Sequence, residues 1–369
     1  MPRVKLGDVA REYKAISKEN TGMPIVGLEH LTPGDITLSQ WDEGIETTFT
    51  KAFKKGQMLF GRRRAYLKKA ALAPFDGVCS GDIIVIEAIP ERIDPALLPF
   101  IIQSDLLFDF AVGNSAGSLS PRVKWESLRE YEFELPEMGE QEKLVQLLEA
   151  AYQAKKSYQV LLNATDNLVK SQFIEMFGGR EKEHYCTLEE CCVSVTGGST
   201  PSMKREDYYG GEVPFIKSGD MKNNYVSSGA LWLTQKALDE TTARYVPAGT
   251  VIVVTRSGIL KHDLPVAITT NPVVINQDLK AFEPKPEFLP QYLAWAIRSK
   301  EDALLSKTRA MTVDNIESRE LYEIPVMIAP IEEQEQFAAF VQQSDKSKFE
   351  LKQSIERIDN LIKSLIQQG

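Results

Sequence analysis

The segment KAFKKGQMLFGRRRAYLKKAALAPF, Lys51 to Phe75, holds eight Lys or Arg and no Asp or Glu, in a chain with 52 carboxylates against 43 cations. Arg62, Arg63, Arg64, Lys68 and Lys69 crowd around Tyr66. Guanidinium forks bind phosphate and pair with guanine O6 and N7, so this cluster offers recognition of nucleic acid rather than catalysis. The net charge of −9 speaks against a freely binding protein, since nucleic-acid-binding domains are usually basic. Local patches still act separately, because screening decouples exposed charges beyond about 10 Å.

Patterns for bond-making chemistry are missing. His30, His184 and His262 are scattered, and CTLEECC (186–192) lacks metal-ligand spacing, so Cys186, Cys191 and Cys192 read as core residues; with Cys79 they are too few for a disulfide framework in a chain this long. FGGR (177–180) and TGGSTPS (196–202) are turns without a phosphate-cradling Lys. NPVV (271–274) is the nearest approach to the Asn-Pro-Pro-aromatic element of an amino-methyltransferase. It lacks the second Pro and the ring. A carboxylate pair followed by Lys can be forced from Asp8, Glu12 and Lys14, but so many acids produce that spacing by chance. The expectation is a non-enzyme with no catalytic residue, metal or cofactor of its own. MPRVKLGDVA has no apolar signal core, and no run approaches the roughly 18 apolar residues of a membrane helix, so a cytoplasmic chain without membrane contact is expected.

The elements that must position the cations come in two copies. EQEKLVQLLEAAYQAKKSYQVLLNATDNLVKS begins at Glu140 and EQEQFAAFVQQSDKSKFELKQSIERIDNLIKS at Glu333, 193 positions on, without a gap. The same offset relates Gly56 to Gly249, Arg63 to Arg256, Leu67 to Leu260 and Lys68 to Lys261. Apolar residues recur in both segments at steps of three and four, predicting two helices of roughly 55 Å paired as a coiled coil. The expected seam is Leu144, Leu147, Ala151, Tyr158, Leu161 and Leu168 against Phe337, Val341, Leu351, Ile355, Ile358 and Ile362. Short β-branched runs (82–89, 251–258, 265–270) and Pro-led helical stretches predict mixed modules.

The predicted fold class is therefore α+β: two mixed α/β domains on two long antiparallel helices, pseudo-two-fold symmetric. The expected divisions are 1–136 (first domain), 137–178 (first helix), 179–185 (linker), 186–330 (second domain) and 331–369 (second helix).

VTGGSTPSMKREDYYGGEVPFIKSGDM (195–221) resembles the opening of a target recognition domain from type I restriction–modification specificity subunits. IPVMIAPIEEQEQF (324–337) resembles that family's Pro-rich strand running into its conserved helix, and PEMGEQEKL (136–144) is a degraded first copy. The likeness extends over the whole chain in the order domain, helix, domain, helix. It implies a non-catalytic subunit whose two domains each read half of a bipartite double-stranded DNA target, held apart by the helices. It further implies two methyltransferase subunits, which carry S-adenosylmethionine, docked on the helical stem for adenine methylation. Motor-nuclease subunits join where the system also restricts.

The expected DNA contacts of the first domain are Arg62, Arg63, Arg64, Lys68, Lys69 and, from the loop Ser118–Arg122, Arg122. Those of the second are Thr200, Lys217, Ser218, Lys222, Arg256, Lys261 and, from the loop Lys307–Thr312, Arg309. Two other readings fit the residues: a specificity subunit for a type II-like fused methyltransferase–nuclease, and a coiled-coil adaptor joining two protein-binding modules.

Overall fold

The computed structural model describes residues 2–17, 22–179, 184–309 and 315–368. It forms two compact units, one of Met1–Gln159 with Lys352–Gly369 and one of Val160–Leu351. Both cuts fall inside the long helices, which the sequence reading sets apart as segments 137–178 and 331–369, because each helix buries its two ends in different cores. Residues 180–183 of the expected linker lie outside the described residues.

In unit 1 the strands 10–12, 83–88, 58–61 and 70–72 form one antiparallel sheet in that order, and 15–16, 51–53, 77–79 and 25–26 form a second. Unit 2 repeats the plan with 192–197, 279–284, 251–254, 266–269 and 225–226, and with 231–233, 209–216, 273–275 and 245–246. Even the parallel pair recurs, Ile25 opposite Val78 and Phe215 opposite Val274. The central strands Met58–Gly61 and Val251–Val254 are buried at every position, which is why they read as unbroken apolar runs. Their Pro-led companions are the helices Leu98–Ile102 and Asp105–Gly113 in unit 1, and Pro290–Arg298 and Glu301–Arg309 in unit 2.

Each module closes on itself through a short antiparallel pair, 3–5 with 132–134 and 185–187 with 325–327. The chain then enters the long helices Met138–Phe177 and Ile331–Gln368. The first stops at Gly178 and Gly179, the latter at φ +75°, a left-handed geometry that glycine adopts without strain.

Three repeated polar residues of these helices, a Gln, an Asp and a Lys, meet equivalent partners in both copies. The Gln of each Glu-Gln-Glu is buried at the helix start. Gln141 donates Nε2 to the Pro136 carbonyl at 2.8 Å and accepts from the Asp94 N–H at 2.8 Å. Gln334 donates to the carbonyls of Glu287 and Ala329, both at 2.9 Å, and accepts from the Leu289 N–H at 2.9 Å. The Asp of each Asp-Asn-Leu pairs across to the other helix: Asp359 with Lys155 at 2.6 Å in unit 1, Asp166 with Lys348 at 2.8 Å in unit 2. The Lys of each Lys-Ser reaches an Asp in the first turn of a module helix, Lys363 to Asp105 at 2.8 Å and Lys170 to Asp302 at 2.6 Å.

The expected seam needs correction. Leu147, Leu161 and Leu168 are 57%, 50% and 56% exposed. Their neighbours Val145, Leu148, Tyr152, Val169 and Phe173 are buried, and they pack into the module cores. Phe337 and Val341 also lie in the unit 2 core, Phe337 with its ring 5.2 Å from that of Phe173. Ala151 is buried, and Tyr158, Leu351, Ile355 and Ile358 are half-buried. Ile362, Leu365 and Ile366 pack on the unit 1 core. A heptad seam presumes that one face meets only a partner helix, whereas these helices give their apolar face first to a module.

Two outcomes test these ties. Gln334→Ala strips three buried backbone groups of a partner, an expected loss of about 3 kcal/mol in urea unfolding; a loss below ~1 kcal/mol removes the clamp from the account. Asp105, hydrogen-bonded by Lys363 and then by Lys68, titrates below the ordinary carboxylate range. A lowered folded-state value stabilises above the unfolded one, about pH 4, and that gain disappears as pH falls through the lowered value. The gap in Tm between wild type and Asp105→Asn is therefore present at neutral pH and closes in melts run from about pH 4 downward.

Candidate nucleic-acid interface

In each unit several strand ends and turns converge on one loop. In unit 1 it is Ser80–Asp82: the Ser80 N–H donates to the Val26 carbonyl, and the Arg62 N–H to that of Asp82 at 2.9 Å. In unit 2 it is Asn276–Asp278, where the Asn276 N–H reaches the Ile216 carbonyl, the Ser199 N–H that of Ile275, and the Thr255 N–H that of Asp278. Gly198 lies so close that an added Cβ would sit 2.1 Å from the Asn276 carbonyl oxygen, so the first turn of TGGSTPS requires glycine there. This loop gathers Thr200, whose hydroxyl bonds Gln277, with Lys217, Ser218 and Arg256.

Of the eight cations in the basic stretch, Lys51, Lys54, Arg63 and Lys68 are ion-paired within their own unit. Lys51 donates to the Ile83 carbonyl at 2.8 Å, Lys54 pairs with Asp76 at 2.7 Å, and Lys69 donates to the Leu28 carbonyl at 2.6 Å. Lys68 pairs with Asp105 at 2.6 Å. Arg63 gives Nε to the Ser120 hydroxyl at 2.7 Å and Nη1 to Asp82 at 3.5 Å. Arg122 takes both oxygens of Asp82, Nε at 2.7 Å and Nη2 at 3.3 Å. Arg122, then Arg63, holds the Asp82 carboxyl below the usual range.

Lys55 and Arg64 remain outward without an ion pair among the described residues. Arg64 is exposed and, among the described residues, has no carboxylate partner. It and Lys68 are the non-glycine residues with positive φ among those described, at 53° and 51°. They bracket a single helical turn, Ala65–Leu67, whose Ala65 is buried while Tyr66 and Leu67 are 54% and 42% exposed. Left-handed backbone costs an L-residue about 1–2 kcal/mol, and such strain persists where a fixed presentation repays it. Arg62 is half-buried with Nε unpartnered.

In unit 2, Arg256, Lys222 and Lys261 are exposed, while Lys217 and Ser218 are half-buried on the turn after strand 209–216. The side chain of Arg309 and residues 310–314 lie outside the described part, so half of the second expected loop is not placed. Sequence reading omits Asp82, Ser120, Gln277 and Asn315. The signal for Asp82 and Asp278 is their matching place beside Arg62 and Thr255, but single acids in an acidic chain are inconspicuous.

Other chemistry finds little footing. Burial pushes the Cys79 and Cys192 thiols up to about 12, which keeps them protonated and poor as nucleophiles or ligands. Among the described residues no group of three or more His, Cys, Asp or Glu is arranged to hold a metal ion, and no helix is long and apolar enough to cross a membrane.

Among proteins of known function, the chain is 30% identical over 152 residues to the EcoR124I/EcoR124II type I restriction enzyme specificity subunit of Escherichia coli, covering 40% of this chain and 38% of that protein. It is 31% identical over 156 residues to the MjaIX specificity subunit of Methanocaldococcus jannaschii, covering 41% and 35%. The matched segments thus span little more than a third of those relatives. A solved chain from work on complex assembly and conformational transition of the type I R-M system superposes with a TM-score of 0.57 at 20% identity, covering 99% of this chain and 96% of that one. The type I restriction-modification S subunit of M. genitalium gives 0.50 at 14% identity, covering 99% and 96%. These two likenesses establish a shared fold. The sequence pattern of the type I restriction modification DNA specificity domain matches residues 3–162 and again 183–360, and the chain belongs to that family.

Proposed function

We propose that this chain is the DNA-recognising, non-catalytic subunit of a type I restriction–modification complex, acting in the cytoplasm on a bipartite double-stranded target. Each unit reads one half-site with its polar rim. Methyltransferase subunits dock on the long helices and bring S-adenosylmethionine, and motor-nuclease subunits complete the assembly where restriction occurs. The observation that carries this reading is the paired rim: two units share one backbone plan, while the side chains at its edge differ. Two readers of unlike half-sites need that combination. Leu147, Leu161 and Leu168, exposed at intervals of seven or multiples of seven residues, supply apolar surface for docked subunits.

Methylome sequencing of a host expressing this chain with its methyltransferase tests the reading. The expected outcome is a bipartite methylated-adenine motif, of which replacing residues 1–136 by those of a relative changes one half only. A motif unaffected by the exchange, or none at all, overturns it. Within that frame, Arg64→Ala in the assembled complex lowers DNA affinity and reduces the salt slope by about one. Lys69→Ala, whose ammonium is committed to the Leu28 carbonyl, shows instead as a lowered Tm with the slope nearly unchanged.

A further inference from the structure

Asp82 is bound by two arginines, and the arrangement is more selective than a surface ion pair. A backbone bridge joins Arg63 to Arg122, with a second from Ala116 to Arg122, so the chain segments carrying both guanidiniums are pinned. Arg122 meets Asp82 side-on through Nε and Nη2. That leaves Nη1 and the outer hydrogen of Nη2 directed away from the carboxylate. Arg63 spends Nε on Ser120 and Nη1 on Asp82. Both side chains stay accessible, 40% for Arg63 and 44% for Arg122, above an Asp82 that is 22% exposed.

The fold does not need this triad. Unit 2 builds the same bridge from Arg256 to Asn315, the residue 193 positions after Arg122. There Asp278 is taken by the Asn276 amide at 2.8 Å, and Arg256 has no carboxylate partner among the described residues. One frame is kept and its outward side chain is exchanged, a guanidinium for a carboxamide.

Resting on the reading of unit 1 as a half-site reader, we infer that Arg122 recognises a guanine through its free end-on fork and that Asp82 is its positioning residue. A guanidinium held on one edge by a carboxylate presents two parallel donors, the match for guanine O6 and N7. The same carboxylate cancels one of the two positive charges, which reduces attraction to phosphates of any sequence. Arg63 and Ser120 buttress the pair.

The test uses the assembled complex and a randomised 30-base-pair duplex library, with sequencing of the bound fraction and affinities for single-pair replacements of the selected duplex. Arg122→Ala is expected to weaken the selected duplex about tenfold to a hundredfold and to erase the preference for one G·C pair. Arg122→Lys keeps the charge and loses the fork, so it erases the same preference with the salt slope intact. Asp82→Ala relaxes that position while raising affinity for unrelated duplexes and steepening the slope by about one, a change that loss of a structural tie would not produce. Asp82→Asn, retaining an acceptor, falls between. If Arg122→Lys keeps every base preference, or Asp82→Ala weakens all duplexes alike, the inference fails while the complex remains a reader. If the wild-type complex selects no sequence, the reading beneath it fails instead.

Discussion

Neither compact unit can close without a helix that also belongs to the other, and this governs the rest of the structure. Unit 1 has its module, the first half of one helix, and then Lys352–Gly369, which returns from the far end of the chain. Ile362, Leu365 and Ile366 pack on a core laid down before residue 153, and Lys363 ties down Asp105. Loop-closure cost rises only about 0.6 kcal/mol per doubling of length, so the long return is affordable. Burying an aliphatic side chain is worth about 1.5–3 kcal/mol when complete, so three partly buried ones offset much of that cost. Unit 2 receives Val169, Phe173 and Phe177 in the same way. Each helix therefore has to be long enough for two cores, and its length is set by packing.

Against that frame, constant and exchanged residues separate cleanly. Gln141 and Gln334, the Lys155–Asp359 and Lys348–Asp166 pairs, and the Lys363–Asp105 and Lys170–Asp302 pairs recur at matching places. The rim does not repeat: the position of Arg122 in unit 1 is taken by Asn315 in unit 2, and where unit 1 has the Asp82 clamp unit 2 has an Asp278 held by an amide. Ties that fold the unit are duplicated and contacts that face outward diverge, the division that the proposed function requires of two half-site readers on one scaffold.

The helices and the two-copy plan are legible because periodicity and self-similarity are local or whole-chain properties of the sequence. Strands such as Val251–Val254 are legible because their burial leaves a continuous apolar run. The role of Glu-Gln-Glu is not, since nothing near Gln334 reveals the Glu287 and Leu289 backbone it serves. The same distance hides the fate of the cations. Lys68 finds Asp105, Lys69 finds the Leu28 carbonyl and Arg122 finds Asp82, all 30 or more positions away. A charge run shows where cations are concentrated but not which are already satisfied. The misplaced Leu147, Leu161 and Leu168 reflect a related ambiguity, since period alone cannot say whether a helix face meets a helix or a module.

The acidic balance and a role on DNA are therefore compatible on physical grounds. Non-specific affinity grows with the number of phosphates neutralised, while the useful quantity for a reader is its ratio of specific to non-specific binding. A rim that commits Lys68 and Arg63 to carboxylates of its own unit gives up some of the phosphate contacts that every sequence offers equally. In unit 1 Arg64 and the outward fork of Arg122 stay available, one suited to the backbone and one to a base edge. Under the proposed function the net charge of −9 would act with the internal ion pairs: both would lower the background against which a small number of base contacts is distinguished.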